Sequence, residues 1–216
     1  GPACGLVLAD LGAEVIRIEP LDGDPTRKLK GFGTGYYPFF NRNKKSLAID
    51  IKSDAGREVI FKLLGSTDVL IENFGPGTMD RLGFGYEALA SRYPTLVYCS
   101  LKGFLPGPYS SRLALDEVVQ FMSGIAYMTG PIGQPLRAGA SVIDIMTGTY
   151  GAIAVLAALR ERDVTGKGQL VKSALFETAA FLMGHHMAYA AVTKEPVPPM
   201  PARVSAWAIY RTFNTS

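Results

Sequence analysis

An aspartate stands at the head of the most apolar stretch of the chain, in Ser141-Val142-Ile143-Asp144-Ile145-Met146-Thr147-Gly148. A carboxylate among aliphatic side chains is costly to bury unless donors surround it. A helix N-terminus supplies such donors, together with a partial positive charge. Two readings of Asp144 stay open on these residues. Ser141 with an acidic residue three positions on has the spacing of a capping box. Alternatively, the helix end holds Asp144 ionised as a carboxylate nucleophile. Asp116 and Glu117, in Leu115-Asp116-Glu117-Val118-Val119-Gln120, open another helix and read first as caps. With Asp144 they can form a carboxylate pair.

A second group of candidates follows predicted strands. The segments Glu19-Pro20-Leu21-Asp22-Gly23-Asp24-Pro25-Thr26-Arg27, Asn73-Phe74-Gly75-Pro76-Gly77-Thr78-Met79-Asp80-Arg81 and Lys102-Gly103-Phe104 each set a donor beside a glycine. The donors are Arg27, Asn73, Arg81 and Lys102. Glycine permits close backbone approach, and open α/β sheets collect ligands beyond the carboxyl ends of their strands. The pattern suits an anionic, nucleotide-like ligand, although Gly75-Pro76-Gly77 reads equally as a turn. Gly31-Phe32-Gly33-Thr34-Gly35 is not a dinucleotide fingerprint, because its third glycine comes one residue early. A Walker motif and Gly-x-Ser-x-Gly are both absent. No metal-ligand spacing occurs, and the adjacent His185 and His186 are expected to point about 100° apart on a helix.

Alternating helix and strand patterns must position these groups. Strands are expected at residues 13–19, 46–51, 68–72, 96–101 and 169–172. Helices are expected at 2–11, 53–64, 86–92, 116–128, 143–161 and 175–190. Ser53 or Asp54 is the expected N-cap of the second helix. The order argues for a parallel sheet covered by helices. The apolar run 143–159 is shorter than the roughly 20 residues of a membrane span, so a buried helix is expected.

The chain has 216 residues, 48% hydrophobic and 19% charged, which excludes a disordered polypeptide. A net charge of +3, with no basic block beyond Arg42-Asn43-Lys44-Lys45, gives no nucleic-acid surface. Cys4 and Cys99 make no disulfide framework and suit a reducing, cytoplasmic compartment. The abrupt start at Gly1-Pro2-Ala3, and the end after an aromatic, strand-like run at Thr212-Phe213-Asn214-Thr215-Ser216, read as a piece of a longer protein. A missing start would leave targeting signals unread. Asn214-Thr215-Ser216 reads as a chance match to a glycosylation acceptor.

Taken in order, several motifs resemble the class III coenzyme A transferases, the family of formyl-CoA transferase and α-methylacyl-CoA racemase. They are Gly1-Pro2-Ala3, Leu8-Ala9-Asp10-Leu11-Gly12-Ala13-Glu14-Val15-Ile16, Gly23-Asp24-Pro25-Thr26-Arg27, Asn41-Arg42-Asn43-Lys44-Lys45-Ser46 and Glu72-Asn73-Phe74-Gly75-Pro76-Gly77. Pro94-Thr95-Leu96-Val97-Tyr98-Cys99-Ser100, Asp144 with Gly148, and Thr165-Gly166-Lys167-Gly168-Gln169 complete the set. Each is weak alone; their shared order is specific.

The resemblance implies a Rossmann-like parallel sheet flanked by helices, within an interlocked homodimer. Residues 1–190 would be a coenzyme A-binding large domain whose first strand precedes Gly1. Residues 191–216 would link it to a smaller domain. The resemblance makes Asp144 the catalytic aspartate and Asp116 an acidic neighbour of the active site. It matches Lys52, Asn73 and Arg81 to residues that hold coenzyme A and places Arg27 in the binding loop; Phe74 and Lys102 are expected to contact coenzyme A beside them. It also implies that coenzyme A moves from an acyl-CoA to a small carboxylic acid through an aspartyl anhydride and an aspartyl-CoA thioester. Neither a tightly bound cofactor nor a metal is expected, nor a nucleic-acid or membrane partner. Two departures bear on this. Leu115 stands where the racemase branch has histidine, which disfavours a two-base racemase. Pro20 stands where formyl-CoA transferase has an arginine on coenzyme A. A 2-methylacyl-CoA racemase and a non-catalytic coenzyme A-binding subunit are the alternatives.

Overall fold

A computed structural model describes residues 1–202. The strand-like terminal run, Asn214-Thr215-Ser216 and the end of the expected linker lie outside the described residues. The helices are α1 (Pro2–Asp10), α2 (Tyr36–Phe40), α3 (Asp54–Leu64), α4 (Thr78–Leu82), α5 (Tyr86–Arg92), α6 (Asp116–Met122), α7 (Ile125–Thr129), α8 (Val142–Thr165), α9 (Leu175–Leu182) and α10 (Gly184–Thr193). The strands are β1 (Val15–Glu19), β2 (Lys44–Ala48), β3 (Val69–Glu72), β4 (Val97–Lys102) and β5 (Leu170–Ala174). The result is mixed α/β, with parallel strand pairs flanked by helices.

The chain divides into two compact units. The first holds residues 1–102 and 145–173. In it, β1 runs parallel to β2, with Val15 opposite Lys44 and Glu19 opposite Ala48. A second sheet has the order β3-β4-β5, and β3 runs parallel to β4, from Val69 opposite Val97 to Glu72 opposite Ser100. The single expected sheet is therefore two sheets among the described residues. Each parallel pair is closed by its own helical crossover, as parallel neighbours require.

β4 is buried along all but its last residue. Leu96 and Tyr98 pack with Ile60 and Leu64 of α3 and Leu89 of α5. Cys99 and Leu101 pack instead with Cys4 and Leu8 of α1 and Ala152 and Val155 of α8. Alternate residues thus serve two hydrophobic layers, the pattern of a strand buried on both faces. Glycines let α8 approach closely. A Cβ on Gly148 would stand 2.7 Å from Ala3 Cβ and 2.8 Å from the Cys4 backbone nitrogen. One on Gly151 would stand 2.8 Å from Leu101 Cδ2. At 24 residues, α8 is long and apolar enough to cross a membrane by length and composition alone. Its Ala152 and Val155 are instead buried core positions.

The second unit holds residues 103–144 and those from 174 onward. Val119 of α6, Ile143 of α8, and Leu175 and Ala179 of α9 form its buried centre. The helix expected at 116–128 is broken in two by Gly124, at φ +87. That left-handed conformation ends a helix, and glycine adopts it freely. The helix expected at 175–190 likewise divides at Met183. Short helices α2 and α4, and the 3-10 turns 25–28 and 31–35, lie outside the expected helices and strands. A single turn of helix is too short to show a hydrophobic period.

Candidate active site

Asp144 lies in the first turn of α8. The first N–H groups of any helix lack partners within it. Here the Asp116 carboxylate supplies one: its Oδ2 accepts from the Ile143 N–H at 2.8 Å and from the Asp144 N–H at 3.0 Å. The capping box expected from Ser141 is therefore not what holds the third N–H. A carboxylate is a charge-assisted acceptor, stronger than a serine hydroxyl, and it also complements the helix dipole.

Asp116 is 4% exposed. Its Oδ1 accepts from Gln120 Nε2 and lies 3.9 Å from Arg137 Nη2. Gln120 is fully buried, and its Oε1 accepts the Ala138 N–H at 2.7 Å. Arg137 pairs with Glu117 at 3.0 Å. Asp116 thus meets donors on both oxygens.

Asp144 itself is exposed. Ile143 is buried and Ile145 and Met146 half-buried, so these apolar neighbours do not cover the carboxylate as the sequence suggests. Protein crowding on its inner side still strips water from the charge and raises its pKa. The Asp116 carboxylate adds like-charge repulsion, Glu117 adds a smaller share, and Arg137 opposes them. A carboxylate made more basic is a better nucleophile once ionised. Asp116 and Asp144 are thus brought together, with Asp116 touching the backbone of Asp144.

The expected coenzyme A residues lie in the first unit. At the end of β1, Arg27 is bound to Glu19 through Nε at 2.8 Å and Nη2 at 2.7 Å, and its guanidinium lies 3.9 Å from the centre of the Tyr37 ring. Glu19 is buried and also accepts from Ser46 Oγ, Tyr37 OH at 3.2 Å and the Asp24 N–H at 2.8 Å. Arg27 first, then these other donors, hold its carboxyl well below the usual carboxylate range. At the ends of β3 and β4, Lys102 Nζ reaches Glu72 Oε2 and the Phe74 carbonyl, both at 2.7 Å. Ser100 Oγ and the Phe74 N–H complete the buried Glu72 at 2.6 and 3.0 Å. Phe74 and Lys102 are thus joined through Glu72. Asn73 is packed so closely on Gly1 that a Cβ there would stand 2.3 Å from its Oδ1. Arg81, on α4, donates to Thr78 Oγ1 at 2.9 Å. It lies over Gly77, a left-handed turn residue at φ +69. Lys52 is exposed in the turn after β2.

Sequence reasoning missed Gln120, Arg137, Glu19 and Glu72. Gln120 left one signal, its place four residues after Asp116 on one helix face. The rings of His185 and His186, both in the first turn of α10, meet at 3.7 Å instead of pointing apart. Among the described residues, no group of three or more His, Cys, Asp or Glu side chains is placed to hold a metal.

Comparison with known proteins decides the family. The CoA-transferase family III profile matches residues 1–216. The chain belongs to CoA-transferase family III. Its family III relatives include the formyl-CoA:oxalate CoA-transferase of Rhodopseudomonas palustris (strain BisB18), 42% identical over 181 residues, which are 81% of this chain and 42% of that protein. The acetyl-CoA:oxalate CoA-transferase of Acetobacter aceti is 41% identical over 204 residues, 91% of this chain and 52% of that protein. Among solved structures, a CAIB/BAIF family protein from Brucella suis matches with a TM-score of 0.91 at 36% identity, over 100% of this chain and 60% of that one. The chain spans about half the length of the curated family III relatives it matches.

Proposed function

We propose that the protein carrying this chain is an acyl-CoA:carboxylate coenzyme A transferase with Asp144 as its covalent nucleophile. The observation that carries this reading is the Asp144 carboxylate itself. It is exposed at a helix N-terminus, made more basic by its surroundings, and fixed through its backbone by Asp116. The names of the relatives supply the reaction class, and their shared acceptor makes oxalate the first acid to test.

In this reading an Asp144 oxygen attacks the thioester carbonyl. The carbon–sulfur bond breaks, giving a mixed anhydride and coenzyme A thiolate. The thiolate then attacks the aspartyl carbonyl and releases the donor acid as carboxylate, leaving an aspartyl-CoA thioester. The acceptor carboxylate attacks that thioester, forming a second anhydride and freeing the thiolate again. Attack of the thiolate on the acceptor acyl group yields the new acyl-CoA and restores Asp144. Each step exchanges one acyl–oxygen or acyl–sulfur bond for another, so no oxidant or net proton is consumed. Covalent catalysis divides one hard exchange into balanced steps.

Water would hydrolyse both intermediates. Because Asp144 is exposed here, its cover is proposed to come from an interlocked second copy and from the domain beyond the 191–216 linker, with 1–190 as the coenzyme A-binding part. Asn73, Phe74, Arg81 and Lys52 are proposed to contact coenzyme A directly. Arg27 and Lys102, engaged with Glu19 and Glu72, are proposed to shape the loops that receive it. A reducing, cytoplasmic setting is proposed as well, and the burial of Cys4 and Cys99 as free thiols supports it.

The test is to mix the full-length protein with formyl-CoA or acetyl-CoA without acceptor, trap with hydroxylamine and map the product by mass spectrometry. A hydroxamate at Asp144 is expected. Asp144→Ala should lose about four or more orders of magnitude in transfer rate, as nucleophile removal does elsewhere. Transfer by Asp144→Ala at the parent rate overturns the assignment. Deuterium entering C2 of a 2-methylacyl-CoA without any acceptor acid would point to racemisation instead.

A further inference from the structure

We infer that Gln120 is a positioning residue for the nucleophile, acting through Asp116. The inference rests on the reading of Asp144 given above. Gln120 is fully buried, and a buried amide must satisfy both of its ends. Its Nε2 donates to Asp116 Oδ1, and its Oε1 accepts the Ala138 N–H at 2.7 Å.

The first bond decides how Asp116 is turned. With Oδ1 held by Gln120, Oδ2 is aimed at the N–H groups of Ile143 and Asp144. Arg137 Nη2, at 3.9 Å, is too far to replace the amide as a hydrogen-bond donor to Oδ1. The second bond fixes Ala138 and so the neighbouring Arg137, which pairs with Glu117. One side chain therefore anchors both the acceptor that holds the Asp144 backbone and the segment carrying the nearby cation. A shift of about 1 Å in a reacting group can cost roughly a hundredfold in rate. A packing role alone would be met by any side chain of this volume.

The experiment uses the full-length protein in single-turnover acylation by acyl-CoA, without acceptor. Gln120→Met keeps the volume and removes both hydrogen bonds. It is expected to acylate about a hundredfold more slowly, with the acyl-CoA concentration at half-maximal rate changed by about twofold or less. Hydrogen exchange at the Ile143 and Asp144 amides is expected to quicken about tenfold or more, with the amides of β3 and β4 unchanged. Gln120→Glu gives a second signature. The charged groups on the elements packed here are Asp116 and Glu117 on α6, Arg137, Asp144 in the first turn of α8 and Glu177 in the first turn of α9, whose Oε1 accepts the Leu105 N–H at 3.1 Å. At neutral pH it repels Asp116; once protonated it donates to Asp116 as the amide does. Its rate relative to the parent at the same pH should rise as pH falls.

Acylation by Gln120→Met within about threefold of a normal parent, or unchanged exchange at those two amides, overturns the inference alone. If Gln120→Met fails to fold, a flat variant-to-parent ratio for Gln120→Glu overturns it. A parent that forms no adduct at Asp144 overturns the transferase reading, and this inference with it.

Discussion

Asp116 touches Asp144 in two ways, and one substitution separates them. Its charge raises the pKa of Asp144, second only to the loss of water. Its Oδ2 holds the backbone. Asp116→Asn removes the charge and keeps one acceptor oxygen. In the proposed transfer Asp144 attacks as its carboxylate, so the acylation rate is expected to rise with pH through its pKa. Removing the like charge should move this acid limb to lower pH, read in a pH–rate profile. The variant should also unfold more easily, by about 1–3 kcal/mol, because the new amide faces the donor end of Gln120. An unmoved limb would show that Asp116 is not a source of the elevated pKa. Asp144 itself was legible in the sequence, as a carboxylate opening an apolar helix. Its cap was not, because Asp116 lies 27 residues before Ile143 and the local Ser141 spacing offered a plausible rival.

Among the elements, those with a clear period read well. α5 and β3 follow the expected segments closely, since each has one dominant pattern over its whole length. The breaks after α6 and α9 did not show. A lone Gly124 inside an apolar pattern carries no sign that its φ will be positive. The paired sheets were also hidden, because strand order is set by tertiary pairing and not by local composition. The close approach of α8 to α1 is testable with glycines. Gly148→Ala sets a methyl group against the Cys4 backbone, which cannot swing aside as a side chain would. It should cost about 1–3 kcal/mol in urea unfolding. Gly184→Ala, with nothing within 4 Å of the new Cβ, should shift stability by less than about 1 kcal/mol. Equal effects at the two sites would refute the packing argument.

For the whole molecule, acid stability follows from Glu19. Its folded pKa is depressed, so it stabilises the fold above its ordinary value of 4.5. That contribution is lost progressively as pH falls below this value. The urea midpoint should therefore drop between pH 6 and pH 3, and Glu19→Gln should show a flatter dependence from a lower starting point. A parent slope equal to that of the variant would remove Glu19 from the account. The exposed apolar residues Leu115, Val118, Phe121 and Met122 on or beside α6 were not legible as exposed. Periodicity reports which side chains share a face, not what covers it. The carboxylate cap on α8 finally implies an order of events in time. A helix end without its partners frays, so the first turn of α8 stays loose until α6 has formed and delivered Asp116. The later turns, packed on Cys4 and Cys99, need no such delivery. On this argument Asp144 is expected to settle late during folding and to be released early during transient opening.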